Sequence, residues 1–176
     1  MATEQKPPKE LNDWQKERAE GLRRIELFKR QGVCYICRDL KTREVFGKQH
    51  VVFEDPLFRV VLSPYPRVEG HSIVVYKPHR EDAAALSDDE AGQVFCMCAR
   101  VVRAIKHALG AERVYILTMA DGQTSHLNFQ LFPRWPGNIM GYRRLSMLPG
   151  PLKNGKETAD SIRTALLAMS PKGRGA

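Results

Sequence analysis

The sequence predicts an α+β fold: an antiparallel sheet of about five strands, a long helix packed on it, and an added N-terminal helix. Three observations carry this. Five short apolar runs are bounded by proline, glycine and aspartate turn residues. One long segment, Ser87 to Leu109, has helical periodicity with start and stop signals at its ends. A charged, amphipathic stretch precedes them all, so helices and strands are segregated rather than alternating.

Taken in order, residues 1–10 are polar and read as a disordered tail. From Leu11 to about Gln31, Leu11, Trp14, Leu22, Ile25, Leu27 and Phe28 recur among charges as in a helix, and Gly32 fits its stop. Cys34 to Asp39 reads as a short knuckle. Residues 50–53 and 58–62 are strands around the turn signal Glu54-Asp55-Pro56. Pro64, Pro66 and Gly70 mark a loop, and Ser72 to Tyr76 is a β-rich run ended by Pro78. Ser87 and Glu90 form a capping box, and Gly110 closes that helix. Val114 to Met119 is a strand, Asp121-Gly122 a turn, and His126 to Phe132 the last strand, ended by Pro133. A short helix follows from Thr158 to Met169. The resulting divisions are a tail (1–10), the first helix (11–32), the main domain (33–136) and a C-terminal extension (137–176).

A chain of 176 residues with 43% apolar content suits one globular domain with tails. No apolar run approaches the ~20 residues of a membrane span. The N-terminus lacks a secretory pattern, so a cytoplasmic protein is expected. The net charge of +8 favours anionic partners. Its basic residues are scattered, without a dense block or aromatic interleaving, which argues against nucleic acid as the main partner. If RNA were bound, the basic helix from Leu11 to Gln31 would be the surface.

Four cysteines divide into two pairs. Cys96 and Cys98 fall within the long helix and read as small buried residues. Cys34 and Cys37 form a C-x2-C, which is compatible with half a zinc site, a redox pair, or two thiols near a turn. His79, just after Pro78, and His126, opening the last strand, could complete a Cys2His2 set. Otherwise they are a surface histidine and a satisfied polar residue. Four protein ligands would make a closed, structural zinc site rather than a catalytic one.

On the last strand His126, Asn128 and Gln130 share one face, while Leu127, Phe129 and Leu131 share the other. Three polar groups on one face need partners, either a ligand or the protein itself. The preceding Gln123, Thr124 and Ser125 offer hydroxyls and backbone N–H groups that can cradle an anion.

These segments together resemble the histidine-triad (HIT) superfamily of nucleotide hydrolases and transferases. The resemblance rests on Cys34-Tyr35-Ile36-Cys37, on Gly70-His71-Ser72-Ile73-Val74-Val75-Tyr76-Lys77-Pro78-His79, and on His126-Leu127-Asn128-Phe129-Gln130 through Pro133-Arg134-Trp135. It covers about Cys34 to Trp135, with Tyr76 where the family usually has proline. The resemblance implies a five-stranded antiparallel sheet, a homodimer, a nucleotide ligand, and zinc held by Cys34, Cys37, His79 and His126. It places the family's nucleophilic histidine at position 128, where this chain has Asn128. Gln130 in the third position is similar to the H-x-H-x-Q branch, the uridylyltransferases and dinucleoside-polyphosphate phosphorylases. That implies action on a phosphoanhydride such as a nucleotide sugar or dinucleoside polyphosphate. The family's ribose-binding acid falls at Ser63, and the loop between Gln123 and His126 is one residue shorter than usual.

An amide nitrogen is delocalised into its carbonyl and cannot replace an imidazole nucleophile. Asn128 therefore admits three readings: an engineered replacement in a transferase, a natural non-catalytic nucleotide-binding or sensor protein, or different chemistry in the same pocket. Arg134, Arg143 and Arg144 would attract an anion or simply be solvated charge. Phe53 and Leu62 would flank a base or belong to the core.

Overall fold

The computed structural model describes residues 11–120, 124–144 and 146–169. Its strands are β1 (Val51–Glu54), β2 (Phe58–Leu62), β3 (Ser72–Tyr76), β4 (Arg113–Leu117) and β5 (Asn128–Arg134). They form one antiparallel sheet in the order β1-β2-β3-β5-β4. The helices are α1 (Asp13–Arg30), α2 (Tyr35–Thr42), α3 (Asp88–Leu109) and α4 (Gly155–Ala168). The predicted α+β class and five-stranded sheet are both present.

Alternation along the strands splits the sheet into two unlike faces. Val60, Leu62, Val74, Tyr76 and Leu131 pack with Val94, Met97, Val101 and Ile105 of α3 and with Ala159, Ile162, Ala165 and Leu166 of α4. The C-terminal helix thus shares the sheet's own core. The opposite face presents Arg59, Val61, Ile73, Val75, Asn128 and Gln130, with α1 and α2 across a gap from it.

Local chemistry sets the helix ends. Ser87 caps α3 through Glu90 N–H, and Glu90 returns a bond to Ser87 N–H, as the sequence predicts. Gly110 stops it in the left-handed region at φ 65°. Gly70 also has positive φ, and a Cβ there would come within 2.4 Å of Leu109 Cδ1. A side chain there would strain the backbone and displace the Leu109 side chain at the end of α3.

Several expectations are corrected. The Cys34–Asp39 knuckle is the start of α2: Cys34 is its N-cap, its sulfur accepting Cys37 N–H. The last strand begins at Asn128 rather than His126, and Pro133 lies inside it. Arg134 O accepts Glu112 N–H on the β4 side, so the N of Pro133 faces the β3 side. There β3 has already ended, its last pairing to β5 being Ser72 with Leu131, and no ladder donor is needed. Cys98 is buried as expected, but Cys96 is exposed. A bulge between Val51 and Phe53 turns Phe53 toward the core, where Arg100 of α3 lies over its ring. Leu62 belongs to the core and Phe53 packs against it. No described helix is long and apolar enough to cross a membrane.

Ile162 is fully buried between α4, α3 and the sheet. An Ile162→Ala chain is expected to lose about 3 kcal/mol of unfolding free energy in urea melts. A loss below about 0.5 kcal/mol would mean that α4 contributes no essential core packing.

Candidate functional site

The Cys34, Cys37, His79 and His126 side chains converge from three parts of the chain. Their ligand atoms all lie within 4.8 Å of one another. Cys34 and Cys37 come from the first turn of α2, where the helix dipole favours negative sulfur. His126 Nδ1 lies 3.5 Å from Cys34 Sγ, 3.3 Å from Cys37 Sγ and 3.4 Å from His79 Nδ1. Cys37 Sγ lies 3.4 Å from His79 Nδ1. A tetrahedral ion bound at about 2.3 Å to sulfur and about 2.0 Å to nitrogen needs edges of roughly 3.3–3.6 Å between such donors. The four residues therefore fit a tetrahedral metal ion.

His126 is preset for this role. Its Nε2 lies 2.7 Å from Tyr76 O, and a carbonyl only accepts, so Nε2 carries the proton and Nδ1 keeps its lone pair for the metal. Burial, followed by the Cys34 thiol, pushes the Cys37 thiol up to about 11, so a thiolate here requires a cation. The segment carrying His79 is fixed by the start of α3. Glu90, the capping-box residue, accepts from Arg80 Nη2 at 2.6 Å and from Tyr76 OH at 2.9 Å. Its bond from Ser87 N–H, then those from Arg80 and Tyr76, hold its carboxyl down at about 2. Arg80 O in turn accepts Leu127 N–H at 2.7 Å, aligning His79 with His126.

Behind the Cys/His cluster runs a hydrogen-bonded chain of side chains. Asn128 Nδ2 donates to His126 O at 2.9 Å, and Gln130 Nε2 donates to Asn128 Oδ1 at 2.7 Å. His71 Nε2 donates to Gln130 Oε1 at 2.9 Å, while His71 Nδ1 accepts Arg67 N–H at 3.4 Å. The run begins at a backbone N–H and ends at a backbone C=O, so only one polarity satisfies every member. His71 is buried and stacks on Phe132 at 4.3 Å between centroids. Burial pulls its pKa down to about 4, against the bond to Gln130, so it is neutral at pH 7.

Asn128 and Gln130 also form part of the floor of a cavity of about 320 Å³ between the sheet and α1 and α2. Val61, Ile73 and Val75 supply apolar floor, and Arg18, Leu22 and Ile25 of α1 form its roof. At the far side Arg59, fully buried, lies between Asp39 (Nη1···Oδ2 3.5 Å) and Glu54 (Nε···Oε2 3.4 Å). Asp39 also accepts from Val45 N–H, Phe46 N–H and Gln49 Nε2.

Ser63 is buried and lines this cavity. Thr124 is half-buried and Ser125 buried, and neither is in the described cavity wall. Gln123 lies outside the described residues. Arg134 pairs with Glu112 at 2.6 Å, away from the cavity. Arg143 is exposed and equally remote. Sequence reasoning named His71 only as part of a motif, without a site role, and missed Asp39, Gln49 and Arg59. The glycine before His71 was a usable signal; an arginine within an apolar strand, Phe58–Leu62, was another.

The family model of the HIT domain matches residues 47–131. An uncharacterized HIT-like protein of Borreliella burgdorferi is 27% identical over 117 residues, covering 63% of this chain and 84% of that protein. Another, of Methanocaldococcus jannaschii, is 29% identical over 110 residues, covering 60% and 82%. Among solved structures, a Zn-bound histidine triad family protein from Mycobacterium smegmatis superposes with TM-score 0.62 at 19% identity, covering 77% of this chain and 94% of that one. A uridylyltransferase superposes with TM-score 0.64 at 20% identity, covering 88% of this chain and 52% of that one. At these identities the structural matches speak for the fold.

His71 gives the site a pH signature. Its folded pKa, about 4, lies below the ordinary histidine value of 6.5, so the unfolded chain binds more protons between those values. The stability from neutral His71 is complete above pH 6.5 and is lost as pH falls toward 4. Urea melts should show a loss on the order of 2–3 kcal/mol over that window that is absent from a His71→Gln chain. An identical acid loss in both chains would contradict this.

Proposed function

We propose that this chain, whose residues 47–131 match the model of the HIT domain, binds a nucleotide with a phosphate at Asn128 and Gln130. The scaffold is of nucleotidyltransferase or phosphorylase type, with an amide at the nucleophile position. The observation that supports this reading is the pair of adjacent amides on the cavity floor, with polarity fixed from behind. Each amide nitrogen has a second N–H to offer a phosphate oxygen. Ser63, in the cavity wall, bonds the ribose, while Thr124 and Ser125, outside that wall, are assigned no ligand contact. The ligand class is a phosphoanhydride, such as a nucleotide sugar or dinucleoside polyphosphate.

Asn128 Nδ2 occupies the place of an imidazole N–H aimed at His126 O. An Asn128→His substitution would repeat that bond and leave the other ring nitrogen with a lone pair. That nitrogen would attack phosphorus: a P–N bond forms, the anhydride P–O bond breaks, and the leaving phosphate keeps the electron pair. An incoming phosphate oxygen then displaces the imidazole. With Asn128 no such adduct forms. The reading as a binding protein without turnover is favoured by one observation: the Asn128 amide oxygen and one of its two N–H groups already have protein partners.

The test incubates both chains with UDP-glucose and diadenosine tetraphosphate, with and without phosphate, and records intact mass and released nucleotides. A nucleotidyl adduct and turnover in the Asn128→His chain alone is expected. Binding by both chains with an adduct in neither would overturn the transferase scaffold and leave the binding protein.

For the metal we propose zinc, in a closed structural site, because two sulfur and two nitrogen donors at tetrahedral spacing suit it. The purified chain should contain about one zinc per molecule. Chelation, or Cys37→Ser, should lower Tm by roughly 10 °C. Full stability with no bound metal would refute the assignment.

A further inference from the structure

Two buried polar atoms, Arg59 Nη2 and Gln49 Oε1, have no hydrogen-bond partner among the described residues. Both belong to residues that line the cavity. They are held beside each other by one carboxylate oxygen, Asp39 Oδ2, which accepts from Gln49 Nε2 at 3.0 Å and faces Arg59 Nη1 at 3.5 Å. A buried, unpaired donor or acceptor is costly, and a neighbouring pair is a poor way to stabilise a fold. The ion pairs around Arg59 do not explain it either, since a buried arginine between carboxylates is weak evidence for stability.

The polarity of this pair is fixed. Gln49 Nε2 is committed to Asp39, so Oε1 can only accept. Arg59 can only donate, and both N–H groups of Nη2 are unused. Asp39 and Glu54 already face the guanidinium, so it lacks an acceptor rather than a counter-charge. A phosphate or carboxylate would sit against Asp39. A neutral carbonyl oxygen, with two lone pairs for two N–H groups, suits Nη2 better than a ring nitrogen with one.

Position agrees with this chemistry. Arg59, Val75 and Asn128 are paired in one row across β2, β3 and β5, so their backbones are roughly 10 Å apart from first to last. Leu62 N–H bonds His50 O, which sets Gln49 alongside Ser63. Between the amides and this corner the floor is Val61, Ile73 and Val75, an apolar bed for a planar ring.

We propose that Arg59 and Gln49 read the edge of the bound base and select a carbonyl next to a ring N–H, as in guanine and uracil. Arg59 Nη2 donates to the carbonyl and Gln49 Oε1 accepts the N–H. Adenine and cytosine present an amino group beside a bare ring nitrogen and fit this corner less well. The inference rests on the nucleotide-binding reading above and names its base class.

The test measures binding of GMP, UMP, AMP, CMP and ribose 5-phosphate to the full chain by calorimetry. It repeats the series with Arg59→Lys, which keeps the cation beside Asp39 and Glu54 but removes Nη2, and with Gln49→Met. Circular dichroism and Tm verify that each variant folds. GMP and UMP are expected to bind at least about tenfold tighter than AMP and CMP. In both variants that preference should fall to near unity while ribose 5-phosphate affinity stays unchanged. Equal binding of all four nucleotides, preference for AMP and CMP, or a preference that survives both substitutions would overturn the base-reading role alone. No binding of any nucleotide or of ribose 5-phosphate would overturn the nucleotide-binding reading, and this inference with it.

Discussion

The site depends on the way His126 is held. Its Nε2–H is fixed to Tyr76 O, its Nδ1 faces the other three side chains of the Cys/His cluster, and its own carbonyl receives the Asn128 amide. One residue therefore joins the Cys/His cluster to the cavity floor. A rotation of that ring would remove a ligand from the cluster and leave Tyr76 O without its partner. A metal held there, as proposed, would lock the chain immediately before β5 and so set where Asn128 and Gln130 sit. A closed site can thus matter to ligand binding without touching the ligand.

The two sheet faces divide the work. One is apolar and carries α3 and α4, with Cys98, Val101, Ala104, Ile105 and Ile162 fully enclosed. This supplies the hydrophobic driving force. The other holds Arg59, Asn128 and Gln130 under helices that pack far less deeply: α1 has no buried residue. Polar groups on that face are expensive to bury, so they are tied to backbone groups at the ends of networks or to carboxylates. His71 shows the consequence, a histidine kept neutral by burial so that it can donate in one direction only.

Much of this was legible in the sequence where local chemistry governs. The α3 caps, Ser87, Glu90 and Gly110, and the strand Ser72–Tyr76 depend on neighbours in the chain, and they fall where predicted. The four ligand candidates were legible because spacing and element ends announced them, and the structure brings them together. Less legible were features set by distant partners. Pro133 stays in β5 because β3 ends beside it. Phe53 turns inward through a bulge, and Cys96 and Cys98 differ in burial because α3 has one covered face. Arg59 and Asp39 are separated by twenty positions and meet only in the folded chain.

The central claim, a phosphate bound by the Asn128 and Gln130 amides, is tested most directly by NMR of side-chain amide groups during titration with a nucleoside diphosphate. The account predicts saturable shifts in the Asn128 NδH2 and Gln130 NεH2 signals, with little change at Asn138, whose side chain lies outside the cavity. Saturable binding that leaves the Asn128 and Gln130 signals unmoved would contradict it.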